Sequence, residues 1–323
     1  MVGTVGIALV AVASLGLSLV APLATTAVAL MVFGVLHNVL ELRYVGGRFA
    51  TLLSGRFLGL LVALITGIVV CRLAGAVFGG GWALRTEIVV TYGLIAVTAW
   101  LGLRRRPVAL VAGWLLLVVA AIASLYWPAY HAVVITHLHN LVPLAFLWEF
   151  SAVFPRRARI AFRGTQLGWL VLVPALLLAG LADPLMSDAS GAVERFAGAP
   201  AVVAASTVPP GGWGTVVGLR FLTVFAFLQL MHFVVWVFFL PRYAPAATRA
   251  FESRVPWLSS RRVWLLGLGI GVALLALFVV DYGQGRTVYA ALASYHAYLE
   301  LPILLAMILG LGGLGRRAQL ARA

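Results

Sequence analysis

Histidine and glutamate recur in this chain inside long apolar runs, where an ionisable side chain is costly and is a functional candidate for that reason. His37 and Glu41 lie in GVLHNVLELRYVGGRF, and His137, His139 and Glu149 in ITHLHNLVPLAFLWEF. His232 lies in LQLMHFVVWVFFLPR, and His296 and Glu300 in SYHAYLELP. In HNVLE and HAYLE the imidazole and the carboxylate stand at i and i+4, on one helix face a turn apart. At that spacing both can ligate one ion, or the carboxylate can orient a ligating histidine or bridge two ions. His137 and His139 point nearly opposite ways, because two residues turn a helix by about 200°. His139 is the better candidate, since its depth and the following Asn140 match His37 and Asn38.

The predicted metal set is therefore His37, Glu41, His139, His232, His296 and Glu300. Several imidazoles with carboxylates and no thiolate favour iron, as one ion or a dinuclear centre, with copper, zinc or haem as alternatives. Cys71 is the sole cysteine, so no disulfide or thiolate cluster can form within the chain, and it is expected as a small buried residue. Helix geometry places Gln229 and Trp236 beside His232, Tyr295 and Tyr298 beside His296, and Asn38 and Asn140 next to histidines. Pro143, one turn after His139, is expected to kink its helix and free a carbonyl. His131, next to Tyr130 and near Pro128, is expected at an interface and solvated.

The elements that must hold these residues follow from composition. A chain of 323 residues that is 63% hydrophobic and 10% charged needs lipid as its solvent. In hydrocarbon every backbone polar group needs an internal partner, and apolar runs without strand-like alternation leave an all-α polytopic bundle. Breaks at Gly, Pro and Arg predict ten spans, at about 5–21, 23–43, 57–78, 83–103, 107–126, 129–154, 166–182, 215–240, 263–281 and 288–311. The start of the chain carries no Lys or Arg before its apolar run, and it is read as the first span rather than a signal peptide. Residues 1–323 form one transmembrane domain, with a loop over 183–214 that holds Asp188, Glu194 and Pro209–Pro210.

The formal charge of +14 comes from arginine clusters between the spans, so it is a topology signal and not a nucleic-acid footprint. Eighteen of the twenty-three, from Arg43 and Arg48 through Arg104–Arg106 to Arg316, Arg317 and Arg322, fall on one side of the ten-span scheme. The positive-inside rule makes that side cytoplasmic, with both termini inside, the 183–214 loop outside, and the chain in the cytoplasmic (inner) membrane. Arg72 and Glu87, equidistant from the Gly79–Gly81 turn, are expected to form a salt bridge. Trp82, Trp127 and Tyr282 fit an aromatic belt. Measured from the cytoplasmic face, His37, His139, His232 and His296 fall at roughly 9, 12, 14 and 16 Å, which is one layer on four helices.

Single buried histidines on several helices, together with QLMHFVVWVFFLPR, resemble the Brp/Blh family of membrane-bound β-carotene dioxygenases. The resemblance implies a polytopic bundle with an all-histidine iron site that cleaves a carotenoid to retinal, and ligands at His37, His139, His232 and His296. That family's His-Gly-x-x-Asp segment is absent, and His-Asn-x-x-x stands in its place.

The function these features predict is a metal-dependent membrane oxidoreductase, of oxygenase or hydroxylase type, acting on a lipophilic molecule within the bilayer and served by a redox partner. The alternatives are a haem-binding protein of electron transfer or haem handling, a proton- or metal-ion-coupled transporter, and a structural bundle in which the histidines are only interhelical contacts.

Overall fold

The computed structural model describes residues 2–187, 191, 193 and 200–311. Among them every regular element is helical, and ten helices are long and apolar enough to cross a membrane. These are α1 (Gly3–Val20), α2 (Pro22–Arg48), α3 (Gly55–Phe78), α4 (Trp82–Leu103), α5 (Pro107–Tyr126), α6 (Pro128–Val153), α7 (Arg156–Leu178), α8 (Val216–Tyr243), α9 (Ser260–Val280) and α10 (Tyr282–Ile308). Proline opens α2, α5 and α6, where its missing N–H costs nothing. Gly79 ends α3 at φ 68°, a conformation that side chains beyond Cα disfavour.

Two starts differ from the sequence reading. α10 begins at Tyr282 rather than near 288, because the Asp281 carboxylate accepts the Gln284 N–H (3.0 Å) and caps a polar first turn. α7 begins at Arg156 rather than near 166, its first turns being an arginine-rich amphipathic stretch that hydropathy reads as a link. Tyr282 is buried, unlike Trp82 and Trp127, which stay exposed at span ends. Cys71 is half-buried.

α2 and α8 are the most enclosed spans, while α5 buries no side chain and lies at the rim. α2 packs against α8, α9, α10 and a short helix at Pro245–Arg254; α6 packs on α8, α5 and α4. Gly47 permits the contact with that short helix, since a Cβ there would lie 1.9 Å from the Ala247 carbonyl oxygen. Arg43 pairs with Glu252 (2.6 Å), Arg48 pairs with Glu149, and Arg254 donates to the Ala50 and Leu53 carbonyls (3.0 and 2.5 Å). These bonds tie the arginine-bearing end of α2 to the short helix on one side and to α6 on the other, on one face of the bundle.

Part of the 183–214 segment folds onto the spans. Ser187 N–H donates to the Leu19 carbonyl (2.9 Å), and a short helix at Pro200–Ala204 buries Val203 and Ala204 in a cluster with Leu23 and Ala27. Arg220 forks onto Asp183 (2.9 and 2.5 Å) and holds that carboxyl below the usual carboxylate range. Asp188, Glu194, Arg316, Arg317 and Arg322 lie outside the described residues.

Candidate metal centre

Four helices carry the centre. α2 contributes His37 and Glu41, α6 His139, α8 His232, and α10 His296 and Glu300. One nitrogen from each of the four histidines lies within 4.8 Å of the others, and Glu41, His232 and Glu300 form a second group within the same limit. The group can hold a metal ion.

Local helix geometry sets the directions. α6 breaks before Pro143, which lacks the N–H that would reach the His139 carbonyl. The Val142 N–H takes that carbonyl instead, one residue early, at 3.2 Å. His139 thus ends a helical segment and faces the centre, whereas His137 turns away and meets the Thr207 carbonyl through Nε2 (2.9 Å). His232 stands two residues before a π-helical turn at Val234–Phe239, a local widening that recurs at functional sites. On α2, Gly34 makes room for Tyr289, whose ring carbon would lie 2.7 Å from a Cβ there, and the Tyr289 hydroxyl meets the Asn38 amide.

Ring-nitrogen distances define the chemistry. The Nε2 atoms of His37 and His296 are 3.2 Å apart, and those of His296 and His139 are 3.3 Å apart. Ligands about 2.1 Å from one ion and about 90–110° apart stand about 3.0–3.4 Å from each other, so these separations suit neighbouring ligands of one ion. The other nitrogens fix the tautomers. His37 Nδ1–H donates to the Phe33 carbonyl (3.2 Å), and His139 Nδ1–H donates to the Glu300 carboxylate (2.5 Å). Both Nε2 atoms then present lone pairs, and a carboxylate behind a histidine is the common support of a ligating ring. His232 completes the ring, with its centroid 4.4 Å from that of His139 and 5.2 Å from that of His37. Its Nε2 is 3.6 Å from Glu41 Oε2.

The centre is dry. His37, His232 and His296 are buried, as are both glutamates, and the Glu41 and Glu300 carboxylates lie within hydrogen-bond reach of each other. Two adjacent carboxylates need a cation or a shared proton between them. Glu41 Oε2, Glu300 Oε1 and both nitrogens of His232 are buried without a hydrogen-bond partner. Each such atom costs about 1–3 kcal/mol, and a cation in their midst would offset the cost. Phe233 lies over His37 (centroids 4.4 Å), while Phe146 and Tyr44 meet Trp236 edge to face on the side of the arginine-rich face.

The neighbours expected from the sequence divide. Gln229, Asn38 and Asn140 are buried near the histidines, each with an unpartnered polar atom, and Trp236 lies 6.2 Å from the His232 ring with its Nε1 unpartnered. Tyr295 instead meets the Thr66 hydroxyl on α3 (3.0 Å). Tyr298 turns to a separate cluster, donating to Glu87 beside Arg72. There Arg72 Nε and Nη2 fork onto Glu87 at 2.9 and 2.7 Å, as the turn geometry predicted. His131 is not solvated: it is buried under Tyr92, and Nδ1 meets the Ser124 hydroxyl at 3.0 Å. Phe233, Phe33 and Tyr289 were not singled out in the sequence. Phe233 adjoins His232 and had a local signal, whereas Tyr289 reaches Asn38 from another span and had none.

No family model matches the chain, and neither a curated protein nor a solved structure matches it.

Proposed function

We propose that this chain is an integral membrane oxidoreductase whose four histidines and two glutamates hold non-haem iron and act on a lipophilic substrate drawn from the bilayer. The observation that carries the reading is the convergence of His37, His139 and His296 Nε2 atoms at 3.2 and 3.3 Å, with His232 and two carboxylates beside them. Imidazole and carboxylate donors without thiolate suit iron, and Cys71 on α3 is not among the donors. One divalent ion would balance two ionised glutamates, which favours a single ion in an apolar interior.

Iron held there would supply redox chemistry toward dioxygen. The chain's own part is to orient the ring of His139 through Glu300, to exclude water with Phe233 and Trp236, and to leave His139 as the one partly open ligand. The likeness to the Brp/Blh family supports an iron oxygenase. The excess of arginine on one face supports a cytoplasmic orientation of that face in an inner membrane. Haem is less well supported, because a porphyrin needs its axial nitrogens on opposite faces of a plate far wider than the space among these rings.

Elemental analysis and electron paramagnetic resonance of the purified protein test the reading. Iron near one atom per chain, retained through gel filtration and yielding a nitrosyl signal with nitric oxide, is the expected result. A metal-free preparation that is fully active, or a Soret band, would overturn it. An ion that exchanges freely on dilution would indicate cargo rather than cofactor.

A further inference from the structure

One cavity of about 960 Å³ opens between α6 and the end of α10, with a wall that includes Leu138, Leu141, Trp148, Leu304 and Met307. That volume lies in the range of small-molecule sites. Along α6 and α10 its inner end reaches the level of the candidate centre: Leu138 precedes His139 in the chain, and Leu304 lies one turn beyond Glu300. His139 is also the cluster histidine with side-chain exposure, 18% against 1% for its partner Glu300. The other end holds the Arg48–Glu149 pair, and the wall between Leu138 and Glu149 runs roughly 16 Å at about 1.5 Å per residue.

The chemistry of that far end selects a head group. Arg48 pairs with Glu149 and lies over the face of Phe49 (5.0 Å), so the pair is neutral as a whole and still offers both guanidinium N–H groups and a carboxylate oxygen. An anionic head would meet that carboxylate, and a pure hydrocarbon would leave the remaining hydrogen-bonding capacity of the pair unused. A hydroxyl donates to the carboxylate. We propose that the cavity seats a neutral lipid alcohol, its hydroxyl on Glu149 and Arg48 and its alkyl or prenyl chain running along α6 to present a carbon beside His139. The assignment of this lipid as substrate rests on the oxidoreductase reading above; its binding does not.

Quenching of tryptophan emission by brominated chains tests the seat in nanodisc-embedded protein, with Trp148→Phe isolating the Trp148 signal. The probes are dibrominated octadecanol, octadecanoate and octadecane, and metal content is measured in every sample. Octadecanol is expected to quench Trp148 saturably and about tenfold more tightly than the other two, the worth of one hydrogen bond to a charged group. Glu149→Gln is expected to abolish the preference over octadecanoate. Ala145→Trp, which fills the cavity, is expected to abolish saturable quenching with metal content unchanged. Non-saturable quenching, equal affinity for the three probes, or an unaltered preference in Glu149→Gln would overturn the proposal. Saturable quenching in a protein that purifies without metal would sink the metal reading alone; a metal-loaded protein without it would sink the lipid seat alone.

Discussion

Two polar clusters lie inside this bundle, and they are built on opposite principles. Around Arg72, every strong group is answered: Glu87 takes the guanidinium fork, Ala290 accepts Nη1–H at 2.9 Å, and Tyr298 donates to Glu87. Around His232, strong groups face one another unanswered, with both its nitrogens and one oxygen each of Glu41 and Glu300 left over. The first cluster is complete as protein. The second leaves capacity that a cation, or a proton shared between the carboxylates, can take up, and this difference separates a structural ion pair from a candidate site. α10 serves both, sending Tyr298 to one and His296 and Glu300 to the other.

Substitutions can break or sharpen that contrast. The largest effect is expected from His37→Ala or His296→Ala, which should lower metal affinity by at least about 100-fold while the fold persists, as read by elemental analysis and circular dichroism. Glu87→Ala should do the reverse, costing about 3 kcal/mol of stability by leaving Arg72 unpaired and keeping the metal, as read by thermal unfolding in detergent. Should Glu87→Ala strip the metal, the two clusters would be one. Glu300→Gln should weaken metal binding by about 10–100-fold, because the His139 ring loses its charged acceptor; a competitive chelator titration measures it. Acid should release the ion, since each ligand must be deprotonated to bind, and the titration of metal occupancy against pH should show more than one proton taken up per ion lost. The smallest effect is expected from His137→Ala, about 1 kcal/mol through the lost Thr207 contact with metal content intact.

Much of this architecture is legible in the sequence, because lipid imposes simple rules. Ten spans follow from apolar length, and the Arg72–Glu87 pair follows from symmetry about a glycine turn. The common depth of four histidines follows from counting residues, and the choice of His139 over His137 follows from a 200° turn and a shared Asn. What the sequence hides depends on partners far along the chain. Arg48 with Glu149 and Arg43 with Glu252 join residues with no local spacing to announce them. The π-helical turn after His232 has no compositional mark, and the polar first turns of α7 and α10 look like links until a cap or an amphipathic face is seen. His131 is buried rather than solvated because proximity to a span end says nothing about neighbours such as Tyr92 and Ser124 packing on it.

The interruption at Pro143 sets His139 apart from its three companions. The helices of His37 and His296 run on past the centre and that of His232 passes into a π-helical turn, whereas His139 sits at the last turn before a joint where the Val142 N–H takes its carbonyl at 3.2 Å. The lower half of that helix, with Leu144, Ala145 and Trp148, is also the wall of the large cavity. Prising that wall outward would tilt one imidazole of four and leave the remaining three in register, so the one corner of the centre that a break in its helix could turn is the His139 corner.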